Sequence, residues 1–340
     1  MSSLDTLKQE LITQKQALES KGFTVTTQHQ YPAPSEITST IQNIDANMSK
    51  LSNLALSFIT GADNNEIYIP TDPSYTQIRD YAYYSSNLNA FYCNNTLVIP
   101  SNINRIGIYA FSLCTGITKD LIIPPSVTEI GRYAFYGCSN ITGNITIPED
   151  CEVIGQYPFA GCAKITSADI YSSLENSATY FFANCTALKR ITFHPPATKV
   201  LGYFAYSCTA LEEMNLCNTI NTISAHCVRN ATNLKRFTIE SITPPTITAT
   251  SFNTLPTSAH IIVPYNNLYA YATATNYVVY ASQIIGFGDF EEGDLLPATT
   301  ENFNLTWYAN LEDLENEQNA ITACPTTGRL YASKTEIVNE

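Results

Sequence analysis

Charge is scarce in this 340-residue chain: Asp, Glu, Lys and Arg together make up 14% of it, against roughly 25% in an ordinary globular protein. Positive charge is the scarcer sign, with 17 Lys and Arg against 30 Asp and Glu, a net charge of −13. That balance argues against nucleic acid or an anionic membrane as the main partner. No run of 18 uncharged apolar residues occurs, so neither a transmembrane helix nor membrane insertion is expected. The opening MSSLDTLKQELITQKQ is charged throughout and lacks the apolar stretch of a secretory signal. Export by that route is therefore not expected, unless a leader has been removed. Histidine is limited to His29, His194, His226 and His260, which are scattered, and no Cys-x-x-Cys pair exists. No metal site and no cofactor is expected. Catalytic signatures are missing as well: there is no G-x-S-x-G, no P-loop, no H-E-x-x-H and no G-x-G-x-x-G after a strand. The adjacent carboxylates Glu149-Asp150, Glu212-Glu213 and Glu291-Glu292 would point to opposite faces of a strand and make poor acid–base pairs. The chain reads as a non-enzyme.

What is abundant is repetition. Cys114, Cys138, Cys162, Cys185 and Cys208 follow one another at 23 or 24 residues. Each is preceded by a phenylalanine (Phe111, Phe135, Phe159, Phe182, Phe204) and followed three residues later by Ile117, Ile141, Ile165, Leu188 or Leu211. A short alternating run comes next, often closed by proline: Leu121-Ile122-Ile123-Pro124, Ile145-Thr146-Ile147-Pro148, Ile261-Ile262-Val263-Pro264. Weaker copies occur at Ile67–Pro70, Leu97–Pro100, Asp169–Tyr171, Ile191–Phe193, Met214–Leu216 and Phe237–Ile239. About nine coils result between residues 60 and 286. One such unit cannot bury its own apolar side, and stacking neighbours creates a continuous core. Each coil is expected to contribute one strand to a parallel sheet, roughly 40 Å long at about 4.8 Å per coil. Gly107, Gly131, Gly155 and Gly202 are expected to mark a bend. The aligned cysteines read as buried thiols rather than disulfides, because a disulfide framework suits small domains without a core.

The pattern Ile106-Gly107-Ile108-Tyr109-Ala110-Phe111 through Cys114 to Pro124 resembles the BspA-type leucine-rich repeat, and residues 261–286 resemble the closing segment of such arrays. The resemblance covers about two thirds of the chain. It implies an α/β solenoid with a concave parallel sheet. It further implies adhesion or host–microbe recognition, since such repeats occur on bacterial surfaces, in parasites and in phage fibre proteins.

The ends differ from the array. Residues 3–20, with Leu4, Leu7, Leu11 and Leu18, predict a helix ending near Gly22. After Tyr31-Pro32-Ala33-Pro34, the stripe Ile37, Ile41, Ile44, Met48, Leu51, Leu54 and Phe58 predicts a second. Residues 1–59 thus form either a helical cap or a homo-oligomerisation stem through residues 1–58. Their arrangement is similar to the N-termini of some phage tail proteins from gut bacteria. Residues 287–340 hold 11 acids and 2 bases. They are read as an acidic docking segment or small end domain, with a disordered tail as competitor. A short helix is expected from Asn310-Leu311-Glu312-Asp313-Leu314, and a hairpin is expected between Ile321–Cys324 and Arg329–Ala332.

Alternation places the middle residue of each strand, and the one two before it, on the outward face of the sheet. Across coils these are Thr96/Val98, Asp120/Ile122, Asn144/Thr146, Ala168/Ile170, Arg190/Thr192, Glu213/Asn215, Arg236/Thr238 and His260/Ile262. The candidate recognition residues are Arg190, Thr192, Glu213, Asn215, Arg236, Thr238 and His260. A second candidate is the ladder Tyr109, Tyr133, Tyr157 and Tyr203, because tyrosine is favoured at interfaces and planar rings suit sugar faces. The expected function is a structural and binding protein of a phage virion, in the tail or fibre, contacting protein or glycan on a cell surface. The alternative is a bacterial cell-surface adhesin for host matrix protein or glycan.

Overall fold

A computed structural model describes residues 69, 71, 73–84, 97–177 and 179–336. The two expected N-terminal helices, the stem or cap they would form, and all but Ile69 of the Ile67–Pro70 run lie outside the described residues. In chain order the repeat strands are β1 (Gln77–Ile78), β2 (Leu97–Val98), β3 (Arg105–Ile106), β4 (Leu121–Ile122) and β5 (Glu129–Ile130). There follow β6 (Gly143–Ile147), β7 (Val153–Ile154), β8 (Ile165–Ile170), β9 (Arg190–Phe193) and β10 (Lys199–Val200). The array ends with β11 (Glu213–Leu216), β12 (Thr222–Ile223), β13 (Arg236–Ile239), β14 (Thr246–Ile247) and β15 (His260–Pro264). Beyond it come helix α1 (Leu268–Thr273), β16 (Ile284–Phe290), β17 (Phe303–Tyr308), helix α2 (Leu311–Glu315) and β18 (Gly328–Glu336).

The chain is a solenoid with parallel sheets. Strands β6, β8, β9, β11, β13 and β15 pair in parallel, each with the next, and β2 pairs with β4 in the same sense. Where one strand per coil was expected, the structure has two. The second ladder joins β1, β3, β5 and β7, then β10, β12 and β14. Its strands are two residues long, too short for alternation to announce them. Each buries one aliphatic residue, such as Ile106, Ile130 or Ile223. Among the described residues no helix lies within the repeats, so turns rather than helices close the coils.

The core is built of columns. Phe111, Phe135 and Phe159 are fully buried and stack with centroids 5.1 and 5.3 Å apart, within 3° of parallel. Identical rings recur because each coil adds one strand spacing. Beside them runs the thiol column. The Sγ of Cys138, Cys162, Cys185 and Cys208 each donates to the carbonyl of the phenylalanine one coil back, at 3.0–3.2 Å. Each of these carbonyls also accepts from the N–H of the cysteine three residues further on, so the thiol is a second donor at each.

The glycines do something other than bend the chain. A Cβ on Gly107, Gly131 or Gly155 would lie 2.3–2.5 Å from backbone atoms of the preceding coil, and none of the three has a left-handed φ. They permit close approach of successive coils. Gly202 falls one position later, since Val200 occupies the strand position of Ile154, and its nearest contact would be 3.3 Å away. The bend belongs instead to the tyrosines. Tyr81, Tyr109, Tyr133, Tyr157, Tyr180 and Tyr203 all have φ between 53° and 63°, a conformation costly for a residue with Cβ.

The C-terminal segment is folded from the closing strand to Glu336 and continues the sheet. Strand β16 pairs in parallel with β15 and runs across the 286/287 position at which the repeat pattern ends. Strand β18 then pairs antiparallel with both β16 and β17. The expected hairpin is absent: Arg329–Ala332 lies in β18, while Ile321 and Ala323 form bridges to Trp307 and Leu295. The long edge of β16 competes successfully for the strand that follows the turn. The expected short helix is present as α2, with the Asn310 side chain accepting from the Asp313 N–H at 2.9 Å.

Candidate functional site

On the long sheet, pairing brings the candidate residues into two straight rows. Arg190, Glu213, Arg236 and His260 occupy one register, and Thr192, Asn215 and Thr238 the next. The phase is shifted in the coil before them. Ala168 and Ile170 are buried, and Ser167 and Asp169 take the outward positions opposite Arg190 and Thr192. The first inward residue of this coil's run is the small Ala168 rather than a large aliphatic or aromatic, so sequence alternation alone placed the coil one residue late.

The two rows are not equally open. Leu311 and Leu314 of α2 join Ile262, Ile285, Phe287 and Tyr308 in a second apolar cluster, on the outward side of the sheet. Ile262 is thereby buried, and Thr238 is buried beside it. Arg329 on β18 seals this end, with a bidentate pair to Asp289 (2.9 and 3.1 Å), a third bond to Glu240 (3.0 Å), and its guanidinium 4.1 Å above the Phe287 ring. His260 is half-buried, and desolvation pushes its pKa below the ordinary imidazole value, opposed by the nearby Glu315 carboxylate. Arg236 is tied to Glu213 at 2.6 Å. The part that stays open is Arg190, Thr192 and Asn215, with the Glu213–Arg236 ion pair half-exposed beside them, together with Asn144, Thr146, Ser167 and Asp169 on the preceding coils. Arg190 is exposed and makes no ion pair among the described residues.

The tyrosine ladder is longer than expected. Tyr81, Tyr109, Tyr133, Tyr157, Tyr180 and Tyr203 stack continuously, with centroids 4.5–5.1 Å apart, and His226 extends the column at 4.9 Å. Tyr180 escaped the sequence reading because its coil has lost the Ile-Gly signature, although it stands two residues before Phe182 as Tyr109 does before Phe111. Stacking occupies both faces of every interior ring, so these rings cannot offer a face to a sugar. They present edges and hydroxyls, and burial holds the phenols of Tyr109, Tyr157 and Tyr180 above their ordinary pKa.

The cysteines carry no comparable chemistry. Burial pushes the thiols of Cys151, Cys162, Cys208 and Cys227 up to about 12. Thiolate, the reactive form, is therefore scarce at pH 8 and becomes abundant only as pH approaches those values. The nine described cysteines, all buried, are expected to react slowly with an aromatic disulfide reagent at pH 8, whereas guanidinium-unfolded protein titrates all ten. Rapid native reaction of several thiols would contradict the buried column. Among the described residues no group of three or more His, Cys, Asp and Glu side chains is placed to hold a metal ion. No helix among them is long and apolar enough to cross a membrane.

Comparison with known families matches residues 35–142, 76–194 and 142–259, in six copies, to the BspA type Leucine rich repeat region. The chain belongs to the BspA-type leucine-rich repeat family. No curated protein matches it. Among solved structures, it is similar to a leucine rich cell surface protein from Faecalibacterium prausnitzii, with 19% identity over 67% of this chain and 46% of that one, at a TM-score of 0.31. It is also similar to a leucine-rich repeat protein from Bacteroides ovatus, with 16% identity over 58% of this chain and 68% of that one, at a TM-score of 0.25. The chain spans just under half the length of the first of these. The BspA-type repeat accounts for the Phe, Cys and Ile columns. It does not account for the outward rows, whose residues differ from coil to coil.

Proposed function

We propose that this BspA-type chain is a non-enzymatic recognition module displayed on a bacterial cell surface, binding host matrix protein or glycan through the uncovered part of its long sheet. The observation that carries this reading is the pair of registered rows in which Arg190, Thr192 and Asn215 stand open beside a sealed core. A core column repeats because packing demands it, whereas an outward row that varies from coil to coil is free to be shaped by a ligand. Family membership supports the surface setting over the virion setting, and the tail or fibre reading gains nothing from the similar structures. The tyrosine ladder serves mainly to hold the coil bends, with its edges as a secondary contact.

Attachment of the purified chain to a cultured epithelial monolayer tests the reading. Arg190→Ala combined with Asn215→Ala is expected to weaken attachment by about tenfold, at the level of one or two lost hydrogen bonds to a charged group. The circular dichroism spectrum should remain that of the parent. Undiminished attachment by this variant would remove the site, and no attachment by the parent would remove the function.

A further inference from the structure

Arginines on the strands pair with carboxylates of neighbouring coils. Arg105 bonds to Asp80 and Glu129, each at 3.0 Å, Arg236 to Glu213 at 2.6 Å, and Arg329 to Asp289 and Glu240 at 2.9 and 3.0 Å. Arg190 departs from this habit. Two carboxylates stand one strand away from it: Glu213 opposite it on β11, and Asp169 on β8, opposite Thr192. It pairs with neither. Glu213 is turned to Arg236. Asp169 is held from two sides, with Oδ1 3.0 Å from His194 Nε2 and Oδ2 accepting from Asn144 Nδ2 at 3.0 Å. His194 is itself fixed against the Tyr171 ring, 4.2 Å between centroids and 7° from parallel. Three further side chains around Arg190 are uncommitted as well. Ser167 lies opposite it on β8, Thr192 two residues along β9 on the same face, and Asn215 opposite Thr192 on β11. None of the three makes a side-chain hydrogen bond among the described residues, and none is fully buried. The four span three adjacent strands, roughly 10 Å at the ordinary strand spacing.

We infer that Arg190 anchors a carboxylate of a protein ligand, an Asp or Glu side chain, an inference that rests on the recognition function proposed above. A guanidinium presents paired N–H groups that match the two oxygens of a carboxylate. Asn215 offers a donor and an acceptor together, as a peptide group does, and the hydroxyls of Ser167 and Thr192 act as either. The surroundings favour a protein over an acidic polysaccharide. Asp169 and Glu213 flank the arginine and the chain carries a net charge of −13, so a ligand charged at every unit would meet repulsion on both sides. A protein surface can bring one carboxylate among neutral or basic neighbours, which complements a cation set between two acids. Because Asp169 and Glu213 are braced by partners of their own, neither collapses onto Arg190 before the ligand arrives. The guanidinium then binds without an internal ion pair to break.

The test uses the full chain and the epithelial monolayer. Arg190→Glu, which sets a like charge against the ligand, should weaken attachment by about a hundredfold while keeping the parent's circular dichroism spectrum. Arg229→Glu makes the same change of charge at an exposed arginine outside the strands, and should attach as the parent does. On the cell side, amidation of surface carboxylates with a water-soluble carbodiimide and methylamine should abolish attachment. Sialidase and glycosaminoglycan lyases, which remove the acidic sugars, should leave it unchanged. Attachment that survives amidation would overturn the carboxylate anchor while leaving surface recognition standing. Loss of attachment after the sugar-removing enzymes would overturn the assignment to a protein and place the carboxylate on a glycan. A folded Arg190→Glu protein that attaches as well as the parent would overturn the anchor too. Absence of attachment by the parent to untreated cells would instead strike the recognition function itself.

Discussion

Gly131→Ala is expected to destabilise the array severely, by about 3 kcal/mol or more, as overpacking does where no neighbour can yield. Its new methyl would meet the backbone of Gly107 and Ile108 at 2.5 Å, and backbone cannot rotate aside as a side chain can. Spreading the two coils would lengthen the bond from the Gly131 N–H to the Ile106 carbonyl, now 2.7 Å, and disturb the ladder of β3 and β5. Gly202→Ala is the matched control. Its Cβ would sit 3.3 Å from the Ala225 carbonyl, tight but open to small adjustment, and the same loss of unfolded-chain entropy applies. A change of no more than about 1 kcal/mol in either direction is expected there. Urea denaturation of the two variants beside the parent decides the matter. Similar midpoints for both would mean that coils are not held at the spacing described.

Phe135→Ala is expected to cost about 3–5 kcal/mol. The ring is fully buried between Phe111 and Phe159, so its removal leaves a cavity and deprives two further rings of a partner. In a solenoid each coil is held mainly by its two neighbours, and a weak interior coil divides the array into two cooperative blocks. Two unfolding transitions in place of one are therefore expected, followed by tyrosine fluorescence and by circular dichroism. Cys162→Ala in the neighbouring column removes far less volume and should leave a single transition. A Phe135→Ala protein with the parent's midpoint and a single transition would contradict a core built of stacked phenylalanines.

The columns were legible because they are local facts repeated: Phe111, Cys114 and Ile117 stand at the same offsets as Phe135, Cys138 and Ile141. Errors arose where the repeat weakens. The Asp169 coil begins its inward run on the small Ala168, and the outward phase slipped by one. Tyr180 lost its Ile-Gly marker, and a rung of the ladder went unseen. Gly202 shares a residue type with Gly155 but occupies a different rung, because Leu201 takes the position next to the strand. The second ladder left no alternation to read, since two residues cannot alternate. The acidic C-terminal segment could be read only as composition and one helix signal, because its partners lie far away along the chain.

The amino-acid sequence by itself determined the period, the family and the Phe, Cys and Ile columns, since a coil that must stack on its copies has to repeat the residues that touch them. Only the tertiary structure decided which outward residues remain available. Ile262 disappears beneath α2, Thr238 is buried beside it, Arg236 and Glu213 are committed to each other, and Asn144, Asp169, Tyr171 and His194 meet across three coils. Those outcomes depend on contacts between segments that do not repeat, and on a strand phase set by pairing rather than by pattern.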